Sequence, residues 1–292
     1  MKHPSTQGIG AFLAIAFGVA WGYWGFLGAL GISGTDPKFQ LLSLPAAFAP
    51  ALGAGIVRRW VTHEGFDDGG APLRLRQDWP YYLVAWLLPL GVTAVIVGLA
   101  IALQISQPDP TLQRFLQTVA PSVMPPAETN LLPLLIPSVL VQAIVVATPI
   151  VWGEEFGWRG YLQRRLLVKH PRWAAIATGL IWGIWHYPLV VLGYEQYENK
   201  VVGGLVFTVF TVLLSIIFGW LQAQTGSLWI ACLAHGATNA IGGSLTVTLF
   251  LGGPNWLWVG YNGILACLPL GLVSLWMWRQ PTVSWHFERS PH

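Results

Sequence analysis

The sequence predicts an all-α membrane protein, a polytopic bundle of about eight transmembrane helices with an inner-surface helical extension. Three observations predict it. Charged residues make up 9% of the 292-residue chain and hydrophobic residues 54%, whereas a soluble domain carries about 25% charged residues. The apolar residues fall in blocks of bilayer length, which a soluble core does not need. The 17 Trp suit the headgroup interface. The blocks are continuously apolar rather than alternating, which selects helices over strands. Residues 1–292 read as a single transmembrane domain with short tails.

The blocks follow in order. The first runs roughly from Gly8 to Ile32; it is long enough to span and is kept as a span, not as a cleaved leader. The second, Leu41 to Val57, carries Pro45 and Pro50 and is expected to kink. The third covers about Tyr81 to Leu103, and the fourth about Leu131 to Trp152, with Pro137 and Pro149. The fifth is about Trp173 to Leu192, the sixth Val201 to Leu221, the seventh Leu228 to Leu251 and the eighth Trp256 to Trp278. Each is close to the length a tilted helix needs to cross the hydrocarbon. Two segments do not span. Residues Gln104 to Asn130 form a long outer connection, either an irregular cap or partly re-entrant. Residues Glu154 to His170 alternate basic and apolar side chains, which reads as a helix leaving the membrane or lying along its inner surface.

Lys and Arg orient the bundle. With eight alternating spans, Lys2, Arg58, Arg59, Arg74, Arg76, Arg159, Arg164, Arg165, Lys169, Arg172, Arg279 and Arg289 share one side. Lys38, Arg114 and Lys200 hold the other, a segregation of 12 to 3. The bias places both termini in the cytoplasm and the protein in the cell membrane. The net charge of +3 includes no basic run, so nucleic acid is not an expected partner; the lipid bilayer is. Cys232 and Cys267 lie in apolar stretches without Cys-x-x-Cys spacing and read as small buried hydrophobes. The ending Ser290-Pro291-His292 is not a prenylation motif.

Most acidic residues fall in loops or tails, among them Asp67, Asp68, Glu195, Glu198 and Glu288, and are expected to be solvated. Glu154 and Glu155 abut a span, and of the seven histidines only His186 and His235 lie within spans; His3, His286 and His292 are in the tails. An ionisable group at membrane depth costs roughly 2.5–3.5 kcal/mol on insertion scales, so such groups normally face a bundle interior or a water-filled cavity. Glu155 and Arg159 are four apart and can pair on one helical face. Glu154 then points about 100° away, and a partly desolvated carboxylate there would have the raised pKa of a general base. His235 and Asn239, also four apart, share a face and could hold an oxyanion. His186 precedes Pro188, which frees the Ile184 carbonyl to line a polar site. Trp185 and Tyr187 read as packing or cavity lining.

Three motifs in order, Glu154-Glu155-x-x-x-Arg159, Trp182-x-x-x-His186 and His235-x-x-x-Asn239, closely resemble the CAAX-processing and bacteriocin-processing (CPBP) intramembrane protease family, which includes type II CAAX prenyl endopeptidases. The resemblance covers about Glu154 to Asn239, with catalytic core motifs within 150–251, and departs at Trp182, where many members have Phe. It implies an endopeptidase in which Glu154, helped by His186, activates water. His235 and Asn239 then hold the oxyanion, and Glu155 and Arg159 shape the site. The substrate it implies is a membrane-associated peptide or protein, C-terminal or prenylated. Family members are often called metalloproteases; zinc on Glu154, His186 and His235 and a metal-free glutamate/histidine mechanism are both consistent with these residues, although no His-Glu-x-x-His helix is present. A non-proteolytic transporter, binding, immunity or scaffold protein using the same polar cluster is the alternative.

Overall fold

The computed structural model describes residues 6–66, 73–122, 124–126, 128–251 and 255–281. Lys2, His3, Asp67, Asp68, His286, Glu288, Arg289 and the terminal Ser290-Pro291-His292 lie outside them. Among the described residues every regular element is helical. Helix α1 is Thr6–Ala29, α2 Phe39–Val61, α3 Leu75–Ala102, the short α4 Gln113–Val119, α5 Leu132–Leu162, α6 Pro171–Leu192 and α7 Lys200–Thr225. Helix α8 occupies residues 228–250, and α9 is Trp256–Trp278, broken near Gly260. Seven of these are long and apolar enough to cross a membrane. The seventh apolar block of the sequence, α8, is not among them, because His235, Thr238 and Asn239 dilute its hydropathy, yet it is a continuous helix packed between α3, α5 and α7.

Several expectations hold in detail. Helix α2 breaks at Phe48, between Phe39–Ala47 and Ala49–Ile56, as its two prolines require. Helix α7 begins where the Asn199 side chain accepts from the amides of Val201 and Val202, and ends on left-handed Gly226, a cap at each end. Cys232 is buried and Cys267 partly buried, both as free thiols. The outer connection after α3 is irregular apart from α4. It is tied down by Asp109, which accepts from the backbone amides of Thr111 and Arg114 while its own amide donates to Leu249 O of α8.

The helix expected to continue past Glu154 is present, and two other expectations are corrected. Helix α5 runs on through Leu162, and Trp158, Arg159, Gly160, Tyr161 and Leu162 are all buried in the bundle. Helix α2 comes close enough to allow this: a Cβ at Gly157 would lie 2.3 Å from Pro50 Cβ. The buried arginines need partners. Arg58, read from sequence as an ordinary loop charge, is 0% exposed. It donates to Gly65 O at 2.6 Å and to Gly160 O at 3.3 Å, with the rings of Phe66, Phe156 and Tyr161 around its guanidinium. It thereby serves a carbonyl of the π-helical turn Phe156–Leu162.

Glu195 is the second correction. It is partly buried rather than solvated: the Asn262 side chain donates to its carboxylate and Trp256 Nε1 donates to its backbone oxygen, tying the α6–α7 loop to α9. Burial pushes its carboxyl from 4.5 up to about 7, against a smaller lowering by the Asn262 hydrogen bond.

Close packing sets the positions of the helices that carry the ionisable groups. Helices α6 and α7 are joined by Ser215 Oγ donating to Ala175 O at 2.7 Å and Thr211 Oγ1 donating to Gly179 O at 3.1 Å. Helix α8 crosses α5 at Gly236, where a Cβ would lie 2.7 Å from Thr148 N. Small residues at such crossings let backbones approach without lipid between them.

Replacing Arg58 with Met should lower unfolding stability in detergent by about 3 kcal/mol, because the buried Gly160 carbonyl loses a charged donor. Lys at the same position should recover less than half of that, since it cannot serve two carbonyls in a planar fork. Wild-type stability in both variants would contradict the role. For Glu195, a carboxyl raised in the folded state stabilises fully below about pH 4.5, and that contribution is lost as pH rises through about 7. Thermal unfolding at about pH 5 and about pH 8 should show Glu195→Gln losing less stability on the rise than the wild type; equal losses would contradict its burial.

Candidate active site

Helix α5 brings its two glutamates to the end of the regular segment Thr148–Glu155, between the π-helical turns Ala143–Ala147 and Phe156–Leu162. Such turns widen a helix locally and recur at functional sites. Arg159 donates to Glu155 Oε1 at 2.9 Å, as the four-residue spacing predicts. The same oxygen lies 2.8 Å from His235 Nδ1 of α8. Glu155 therefore bridges two cationic or potentially cationic side chains, and both it and Arg159 are 0% exposed. A buried ion pair needs such additional hydrogen bonds to offset its desolvation.

Glu154 faces a different partner. Its Oε2 accepts from Trp182 Nε1 of α6 at 2.8 Å. Trp182 is the common neighbour of the whole cluster. Its backbone oxygen lies 2.9 Å from His186 Nδ1. The Arg159 guanidinium sits 4.4 Å from its ring centroid, a cation–π contact. The His186 and His235 rings meet it edge-on, with centroids at 5.6 and 5.1 Å. Glu154, His186 and His235, from three helices, are thus gathered around one indole. They are 8%, 9% and 3% exposed, so each is largely desolvated.

Hydrogen bonding fixes the histidine tautomers. A carbonyl can only accept, so His186 Nδ1 carries the proton and its Nε2 holds a lone pair in the neutral ring. His235 Nδ1 likewise donates to the Glu155 carboxylate, which leaves Nε2 to face other groups. Phe218 of α7 stacks on His235 at 5.9 Å and Phe207 covers His186 at 5.0 Å.

Asn239 stands apart. Asn239 is exposed and, among the described residues, makes no side-chain hydrogen bond with Glu154, Glu155, Arg159, His186 or His235. The spacing argument assumed an ordinary α-helix, but a π-helical turn spans Thr238–Gly243, so the register changes just before Asn239. Sequence reasoning also missed the link between Glu155 and His235. It passed over the indole N–H of Trp182 as well, although the departure from Phe at that position was its visible signal: Phe has no donor for Glu154.

The zinc reading fares less well. Among the described residues no three of His, Cys, Asp and Glu gather to hold a metal ion. Nδ1 of each histidine and Oε2 of Glu154 are committed to Trp182 and Glu155, which leaves Nε2 of both rings and Oε1 of Glu154, but as placed the three side chains do not form a three-ligand metal site.

Residues 133–241 match the family described as Type II CAAX prenyl endopeptidase Rce1-like. The chain is also 30% identical over 92 residues to CAAX prenyl protease 2 of Methanococcus maripaludis, a stretch that covers 30% of this chain and 34% of that protein. That match spans about a third of each partner, and the family match at 133–241 falls on the helices that carry the glutamates and both histidines. Over residues 133–241 the chain is thus similar to the type II CAAX prenyl endopeptidases, the proteases that its three motifs resemble.

Proposed function

We propose that this protein is a CAAX-type intramembrane endopeptidase, hydrolysing a peptide bond of a membrane-associated substrate with water activated by Glu154 and His186. The observation that carries the reading is the convergence of Glu154, His186 and His235 on Trp182. With Oε2 held by Trp182, Glu154 Oε1 is left to take a proton from water while His186 Nε2 accepts the other hydrogen bond. The water oxygen attacks the scissile carbonyl carbon, and the proton passes from Glu154 to the leaving amine as the C–N bond breaks. His235 is anchored by Glu155, and its Nε2–H, when the ring is protonated, holds the oxyanion. In that state Glu154, Glu155, Arg159 and His235 sum to zero charge, which suits a buried site. Asn239 offers its amide to the substrate, and Glu155 and Arg159 shape the site. No step requires a metal.

The relative's name supports a prenylated or C-terminal peptide as substrate. Residues 150–251 carry the core within a single membrane domain. Both termini lie in the cytoplasm of a cell-membrane protein: discounting buried Arg58 and Arg159 leaves ten positive residues on one side against three on the other.

Purified protein in lipid should cleave a membrane-tethered peptide. Glu154→Gln, His186→Ala and His235→Ala should each lower kcat by about 100-fold or more, with folding retained. A chelator should leave the rate within about twofold; loss of activity on chelation, restored by zinc, would contradict the metal-free step. Retained cleavage in all three variants would sink the peptidase reading. Glu155→Ala should instead unfold more easily, by about 3–5 kcal/mol, because it leaves Arg159 buried without its carboxylate. A Glu155→Ala protein as stable as the wild type would remove Glu155 from the scaffold.

A further inference from the structure

Helix α6 is interrupted just where its histidine lies. Pro171–Trp185 and Tyr187–Leu192 meet at His186, with Pro188 in the first turn of the second segment. In an unbroken helix the amide of Leu189 would donate to Trp185 O. Here it donates instead to His186 O at 2.9 Å, sharing that oxygen with the amide of Val190, whose ordinary helical acceptor it is, at 3.2 Å. The Trp185 carbonyl, one residue before the histidine, is therefore released from the helix. A buried carbonyl inside a membrane bundle needs a donor.

Helix α1 supplies it. Trp21 Nε1 donates to Trp185 O at 2.9 Å, and in return Trp185 Nε1 donates to Ala16 O of α1 at 3.0 Å. The two indoles thus clasp α1 to α6 through reciprocal hydrogen bonds. Trp24 of α1 packs edge-on against the Trp185 ring at 4.7 Å, and that ring lies 4.8 Å from His186. Trp21 is itself exposed, so its ring is not held there by burial in a core.

We infer that Trp21 is a positioning residue for His186: its indole N–H caps the Trp185 carbonyl that the Leu189 amide leaves at the helix break, and fixes the turn from which the imidazole projects. The residue lies on a helix outside the stretch matched to the family. The site is therefore completed by the amino-terminal helix, not by α5, α6 and α8 alone. The kinetic arm of the test below rests on the peptidase reading; the chemical arm does not.

The test compares Trp21→Phe, which keeps a ring and removes the N–H, with Trp24→Phe. The indole N–H of Trp24 is buried without a hydrogen-bond partner, so its loss opens no carbonyl. The rate of carbethoxylation of His186 by diethyl pyrocarbonate, read by peptide mass spectrometry in lipid-reconstituted protein, reports the exposure and orientation of that ring. Trp21→Phe should change this rate several-fold, and Trp24→Phe should leave it at the wild-type value. In the cleavage assay Trp21→Phe should lower kcat about tenfold or more with KM within about twofold, as a misplaced catalytic group does. An unchanged His186 rate in Trp21→Phe overturns the inference, as does an equal change in both variants. If the wild type cleaves nothing, the peptidase reading falls while the His186 rates still decide the role of Trp21.

Discussion

The cost of placing charge in a medium that cannot solvate it governs this structure. Glu155 and Arg159 are wholly enclosed, and either charge buried there without a partner would be strongly destabilising. Their pairing, extended to His235 through the same carboxylate oxygen, makes the enclosure tolerable. The arrangement also has a geometric consequence. Once Glu155 holds both Arg159 and His235, α5 and α8 are locked in register, and the Gly236 crossing allows the helices to approach that closely. Glu154, one residue earlier, is then directed to the opposite partner, Trp182 of α6. A structural carboxylate and a chemically available one arise side by side from the same requirement.

Trp182 converts that local electrostatics into a site. It gives one hydrogen bond to Glu154, receives one from His186, and offers its ring face to Arg159. Its rigid side chain thus fixes groups of α5 against α6, and the edge-on contact with His235 extends the same ring to α8. Its neighbour Trp185, three residues on, performs the matching task towards α1. The α6 segment therefore faces the polar cluster through one indole and the amino-terminal helix through the other. The break at His186 is what leaves the Trp185 carbonyl for the second attachment.

The polytopic helical fold was legible in the sequence because bilayer thickness imposes a length on every apolar block, and that signal does not depend on tertiary contacts. The Glu155–Arg159 pair was legible for the same kind of reason, since it depends only on helical spacing. Other features were not. The π-helical turns Phe156–Leu162 and Thr238–Gly243 have no compositional mark, so the burial of the end of α5 and the exposure of Asn239 were not legible. Arg58 looks like any loop arginine until the carbonyl of Gly160 is seen opposite it. Glu195 looks solvated because its loop is polar, whereas Asn262 and Trp256 from a distant helix enclose it. In each case the deciding partner lies far away along the chain.

The central claim is that Glu154, His186 and His235 act on one reacting carbonyl beside Trp182. It is tested most directly by an experimental structure of the protein in lipid with a peptide whose scissile carbonyl is replaced by a hydrated ketone. The account places one hydroxyl of the diol between the carboxylate of Glu154 and Nε2 of His186, and the other against Nε2 of His235. A diol bound elsewhere in the bundle, or a metal ion seated among these three side chains, would contradict it.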